Sequence, residues 1–265
     1  MSGLVNNISN WKESFLRRIV RYFSKKPYVY VSSVGKIINE GKFLDYCSLI
    51  ADKNSEVVIE KGAVLINCRI VANKNSKIRI GASCAIANSI ISATNGKVEI
   101  GESSIVGSSQ HHPTRIIAND SLFSSGSNCK LFMDSAIVRF GGKLNIGNYV
   151  GIGYFGDIRC DESVEIGDYG LISYHVNIYD TNVHSIDSSQ RRDWITEQFP
   201  LGLVDPVKPK TQKVVIESDV WLGKNVSILK GCIIKKGSTV ALGVTLSNYQ
   251  GEVKETFVSQ PPRVL

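Results

Sequence analysis

Residues Lys143-Leu144-Asn145-Ile146-Gly147-Asn148-Tyr149-Val150-Gly151-Ile152 decide the fold. Ile146 and Ile152 stand six positions apart. The same beat links Ile166 to Ile172 and Val220 to Val226, and runs through Ile228, Ile234 and Val240. Three six-residue sides make one coil of 18 residues. An aliphatic residue at every sixth position points into a narrow triangular interior, and the polar residues between face water. Hydrogen bonds then run from coil to coil, so the sheets are parallel and the stack buries one continuous core. The glycine after many anchors is expected to accommodate the turn there.

Outward from this stretch the pattern recurs in Lys77-Ile78-Arg79-Ile80-Gly81, Lys97-Val98-Glu99-Ile100-Gly101 and Ser163-Val164-Glu165-Ile166-Gly167, with weaker copies at Val57–Glu60, Val214–Glu217 and Cys232–Lys235. The aligned isoleucines are 59, 80, 100, 146, 166, 216 and 234, with spacings of 21, 20, 46, 20, 50 and 18. Most lie near 20, the mark of a solenoid. The two long gaps each require an extra coil or an insertion. Within the first, 107–135, one coil is expected around Ile116-Ile117. His111 and His112 lie in the same irregular stretch as candidate substrate contacts, and His175 sits in a hexapeptide as a candidate interface or site residue.

Residues 1–45 differ. Asn10 and Glu13 read as a capping box. Trp11, Phe15, Ile19, Tyr22 and Phe23 follow at helical spacing, opposite Lys12, Arg17, Arg18, Arg21, Lys25 and Lys26. A basic amphipathic helix over 10–26, stopped by Pro27, is expected to cap the open end of the stack; the alternative is contact with an anionic membrane surface. The domain reading is 1–45 as helix and cap and 46–265 as the solenoid, interrupted by a loop at about 179–213.

The bulk numbers leave room for one large domain or two in 265 residues. No apolar run approaches the ~20 residues of a membrane-spanning helix. No apolar signal segment opens the chain, so the expectation is cytoplasmic, with a peripheral place at the inner membrane face if 10–26 binds lipid. Cys47, Cys68, Cys84, Cys129, Cys160 and Cys232 are scattered without a CxxC pair, which argues for small buried hydrophobes over a zinc or redox motif. The net charge of +7 favours anionic partners. No arginine-rich run or recognition motif supports nucleic acid.

With these repeats in view, the chain resembles the hexapeptide-repeat acyltransferase superfamily from about 143 to 247, and from 56 onward more loosely. The resemblance implies an all-β, left-handed parallel β-helix with a short N-terminal α-helical segment. The left hand comes from the resemblance alone, because parallel crossovers are ordinarily right-handed. Between Ile178 and Val214 the hexapeptide beat stops, in a segment holding His184, Arg191, Arg192, Trp194, Phe199 and Pro200. Long loops on a rigid scaffold are where chemistry is placed. The form His184-Ser185-Ile186-Asp187, with Arg191 and Arg192 after it, is similar to the bacterial polysaccharide and lipopolysaccharide O-acetyltransferase branch.

That branch implies an acetyl-CoA-dependent O-acetyltransferase acting on a sugar hydroxyl of a bacterial surface glycan (capsule, exopolysaccharide or O-antigen) or its precursor. It works as a homotrimer, with sites between subunits and no metal. A histidine with an unperturbed pKa near 6.5 suits the base that must deprotonate the hydroxyl, so His184 is assigned that role. Asp180 or Asp187 is the candidate to orient it. The matching repeats imply Trp221, Lys224, Leu242, Gly243, Ser247, Asn248 and Arg263 as contacts of the acetyl-CoA. Here Leu242-Gly243-Val244 stands where the family has Ala-Gly-Ser, and Asn248 where it has lysine. Tyr154, Asp161 and Arg191 are the implied acceptor contacts. Competing readings on the same fold are an N-acetyltransferase of an amino-sugar nucleotide, an antibiotic acetyltransferase, a γ-class carbonic anhydrase needing three converging histidines, and a catalytically inactive trimeric scaffold.

Overall fold

The computed structural model describes residues 28–32, 34–44, 46–108, 112–198 and 206–258. The helix expected at 10–26, His111 and Arg263 lie outside the described residues. The rest is a parallel β-solenoid of about 10 turns. One coil shows the plan. Lys143–Ile146 forms the first face, Gly151–Ile152 the second and Asp157–Cys160 the third. Each pairs in parallel register with its counterpart one turn on: Ile146 with Ile166, Ile152 with Ile172, Ile158 with Ile178. The first faces stack into a nine-stranded sheet, and the second and third faces form an 18-stranded sheet that wraps a corner. Strands Tyr28–Val31, Lys36–Asn39 and Lys42–Leu44 already keep the coil register, pairing with Ser48–Ala51, Glu56–Ile59 and the start of Val64–Asn73. The described solenoid therefore starts ahead of residue 46.

The alternation of inward and outward side chains builds the core. Ile59, Ile80, Ile100, Ile216 and Ile234 are fully buried in one column, next to Val57, Ile78, Val98, Phe123, Leu144 and Val164. Each such side chain contributes on the order of 1.5–3 kcal/mol through removal from water. All six cysteines are buried, and none is in a disulfide. Burial pushes the thiols of Cys84, Cys129, Cys160 and Cys232 up, so they pack as protonated apolar groups.

The two long gaps resolve differently. Ser125 pairs with Ile100 on one side and Ile146 on the other, so the first gap holds a whole extra coil. It includes the strand Thr114–Asn119 around Ile116-Ile117. Its anchor is a serine, which hid it from the isoleucine count. Ile166 pairs directly with Ile216, so the second gap is an insertion. It leaves the stack at the corner between the third and first faces.

The glycines have another purpose than the one expected. Gly81, Gly147 and Gly167 lack positive φ; that conformation falls two residues later, on Ser83, Tyr149 and Tyr169. A Cβ on Gly147 would stand 2.7 Å from Asp168 N and 2.8 Å from Gly167 C. Glycine is required there because the next coil's backbone passes too close for any side chain, not because the chain turns.

Candidate active site

The insertion is anchored before it is free to vary. Asp180 is fully buried at the corner. Its Oδ1 accepts the Asp161 amide at 2.8 Å, and its Oδ2 accepts the amides of Glu162 and Ser163 at 2.8 and 2.7 Å. Burial raises its pKa, and these three amides oppose the rise. Both oxygens of Asp180 thus fasten the insertion to the coil below. The two stems then meet as a short antiparallel ribbon, with Gln212 N donating to Asp180 O, Asn182 N to Lys210 O, and Thr181 bridging to Thr211.

His184 follows on this stem, half-buried. Its ring packs against Trp194, with centroids 4.7 Å apart and planes tilted by 33°. Trp194 opens a π-helical turn, Trp194–Gln198, that continues helix α1, Ser188–Asp193. Asp187 is the N-cap of α1; its Oδ1 accepts the amides of Ser189 and Gln190 and the Ser189 hydroxyl. Those hydrogen bonds, led by the Ser189 hydroxyl, hold the Asp187 carboxyl below the usual range. Arg191 turns back from α1, and its Nη1 donates to Ser185 O at 2.8 Å. The loop around His184 is therefore braced by its own helix.

The acceptor candidates separate. Asp161 is fully buried, gripped by Arg139 and by the Thr181 hydroxyl. It lies inside the wall beneath His184, not on its surface. Tyr154 stands at the corner between the second and third faces, stacked between Phe132 and Tyr174 at 5.0 and 5.8 Å. His175, at the same corner, stacks on Phe155 at 4.8 Å. His112 lies in the short irregular stretch before Thr114–Asn119.

The cofactor candidates separate too. Trp221 points out from the second face, 49% exposed, and Leu242 is 60% exposed at its corner beside the exposed Lys224. Gly243 there has φ +73° and open space around its Cα. Ser247 and Asn248 lie instead toward the corner between the third and first faces, where Asn248 N donates to Lys230 O. Lys230 in turn donates to Asn182 Oδ1 at 2.7 Å, next to His184. Lys224 and Lys230 bound one strand of the third face, Ser227–Leu229. That strand sets the two lysines at opposite corners of the face. In one chain, His184 and the Trp221–Lys224 group occupy opposite edges of that face.

No protein-family model matches the chain, and no curated protein does. Among solved structures it is similar to the polysialic-acid-specific acetyltransferase NeuO. The identity is 16%, over 91% of this chain and 92% of that one, with a TM-score of 0.37. It is also similar to the polysialic acid O-acetyltransferase OatWY, at 18% identity over 82% of this chain and 93% of that one, with a TM-score of 0.39.

Four residues around His184 escaped sequence reading as site members: Arg139, Thr181, Trp194 and Lys230. Arg139 and Lys230 are 45 and 46 positions from His184 and reach it only through the coiling. Trp194 carried a usable signal, being a large aromatic inside the insertion.

Proposed function

We propose that the chain is an O-acetyltransferase that moves an acetyl group from acetyl-CoA to a sugar hydroxyl of a bacterial surface glycan or its precursor. The observation that carries this reading is His184. It is a half-buried histidine, packed on Trp194, on a loop stem that the solenoid holds through Asp180 and Asp161. Rigid support of this kind is what a general base needs.

In the proposed reaction the acceptor hydroxyl attacks the thioester carbonyl while His184 takes its proton. The C–O bond forms as the carbonyl oxygen becomes an oxyanion. Its collapse breaks the C–S bond, and the imidazolium returns the proton to the departing thiolate. The products are the acetyl ester and free CoA, with no covalent enzyme intermediate. A positioned base contributes typically 10²–10⁴-fold to such a step.

Acetyl-CoA is assigned to the group of Trp221, Lys224, Leu242 and Gly243, with Ser247 and Asn248 across the third face from them and Arg263, outside the described residues, as further contacts. Exposed Trp221 and Leu242 suit the pantetheine arm, and Lys224 suits a phosphate. Tyr154 and Arg191 are assigned to the acceptor. The distance across the third face supports a site completed by a second copy, in a homotrimer. Exposed Leu171, Trp221, Tyr149 and Tyr169 offer that copy an apolar surface. No helix among the described residues is long and apolar enough to cross a membrane. The residues 10–26 are assigned to capping or to peripheral membrane contact.

The deciding experiment is acetyl-CoA binding by calorimetry on the wild type and on His184→Ala, with glycan-dependent thiol release measured alongside. Binding by both and release by the wild type alone supports the reading. No binding by the wild type at millimolar acetyl-CoA overturns it in favour of a scaffold.

A further inference from the structure

We infer that Arg139, Asp161 and Thr181 are positioning residues for His184, acting through a strained turn at Val183. The inference rests on the reading of His184 as the base.

The His184 amide donates to the Asn182 carbonyl at 2.7 Å, two residues back, and the residue between, Val183, has φ +67°. This is the rare, strained form of γ-turn. Among the described non-glycine residues with positive φ, Val183 is the single β-branched one; the others include Asn, Asp, Ser and aromatic residues. A β-branched side chain is the least suited to that conformation, which persists only where the surroundings over-determine it.

The surroundings do so through a closed ring. Val183 N donates to Thr181 Oγ1 at 3.0 Å, and Thr181 Oγ1 donates to Asp161 Oδ2 at 2.7 Å. Asp161 receives Arg139 Nε on Oδ1 at 2.9 Å and Nη2 on Oδ2 at 2.8 Å. The same Nη2 reaches Val183 O at 3.5 Å. Both backbone polar groups of the strained residue therefore end on one ion pair. That pair is largely shut off from water: the Asp161 side chain is 0% exposed and that of Arg139 is 12% exposed. Its hydrogen bonds are correspondingly firm.

The neighbour is pinned as well, since Asn182 N donates to Lys210 O and Asn182 Oδ1 accepts from Lys230 Nζ. With the peptide planes on either side of Val183 held, the Cα–Cβ direction of His184 is set, and the imidazole is delivered onto Trp194. A relaxed Val183 would swing it away. Small misplacements of a catalytic group lower a rate steeply.

The test uses Thr181→Val, which deletes the hydroxyl at constant shape, Thr181→Ser, which restores it, and Val183→Gly, which removes the strain. Each is measured for kcat, KM for acetyl-CoA, thermal midpoint and the imidazole NMR signals of His184. Thr181→Val is expected to lower kcat at least tenfold with KM within twofold, and Thr181→Ser to return within threefold of wild type. Val183→Gly is expected to melt no lower than wild type, yet to lose at least fivefold in kcat with shifted imidazole signals. A merely structural ring predicts lowered melting with kcat intact in Thr181→Val, and wild-type kcat in Val183→Gly. Wild-type kcat and unshifted imidazole signals in Val183→Gly, with His184→Ala inactive, overturn the positioning role alone. Full activity in His184→Ala overturns the base assignment itself. If Thr181→Val does not fold, Val183→Gly decides the matter, because it leaves every buried polar group in place.

Discussion

The imidazole of His184 lies against the indole of Trp194, 4.7 Å between centroids. The contact joins the first turn of the insertion to its helical part. It limits the rotamers open to the imidazole and shields one of its faces from water. On the proposed mechanism, Trp194→Ala lowers kcat about tenfold or more, while Trp194→Phe keeps most of it, because a ring remains to pack on. Steady-state kinetics with both variants checks this, and an unchanged kcat in Trp194→Ala removes Trp194 from the site.

Asp180 is expected to behave as a structural residue. Asp180→Ala strips an acceptor from three backbone amides, one of them on the buried Asp161. The expected loss is about 3 kcal/mol, on the order of 1 kcal/mol for each amide left without its acceptor. Denaturant melts measure it. Hydrogen exchange should show faster opening at 161–163 and at the loop stems, with the early coils unchanged.

The two aspartates of the insertion are expected to titrate in opposite directions. Asp180 is raised by burial, so the part of its contribution that depends on protonation is full below the ordinary value of 3.8 and is lost as pH rises through the higher folded pKa. Asp187 is lowered, first by the Ser189 hydroxyl and then by the amides of Ser189 and Gln190. Its contribution is full above 3.8 and is lost as pH falls through the lower folded pKa, when the cap of α1 weakens. Carboxyl carbon shifts followed by NMR from pH 6 to pH 2 should place Asp180 above 3.8 and Asp187 below it. Midpoints in the opposite order would show that the three amides outweigh burial at Asp180 and that the cap hydrogen bonds do not hold Asp187 down.

Gly147→Ala is expected to destabilise although Gly147 is not at positive φ. The new methyl would meet the backbone of Gly167 and Asp168, which has no room to yield. Overpacking of this kind costs about 1–3 kcal/mol. Gly243→Ala, with φ +73° and nothing within 4 Å, pays only the conformational penalty of a left-handed alanine, about 1 kcal/mol. Thermal melts of the pair separate the two causes.

Ser125→Ala is expected to stabilise. Ser125 occupies an isoleucine position in the column, and its buried hydroxyl has no hydrogen-bond partner. Removing an unsatisfied buried group recovers about 1 kcal/mol. A lower melting temperature for this variant would show that the hydroxyl is satisfied after all.

The repeating isoleucines were legible because each coil repeats the same physical demand: an aliphatic residue facing the axis and a polar one facing water. The extra coil around Ile116-Ile117 was only half legible, since Ser125 breaks the column. The role of the glycines was misread as turning. What they avoid is a clash with a coil about 20 residues away, and no local pattern displays that.

His184 announced itself by standing where the hexapeptide beat stops, and the insertion was visible for the same reason. What surrounds His184 was not. Arg139, Asp161 and Lys230 are brought to it by the pitch of the solenoid, which sets residues of neighbouring coils side by side whatever their separation in sequence. The chain's periodicity alone determined that it would coil. Only the tertiary structure decided which buried charge meets which strained peptide, because that depends on the register between coils and on where the insertion comes back to rest.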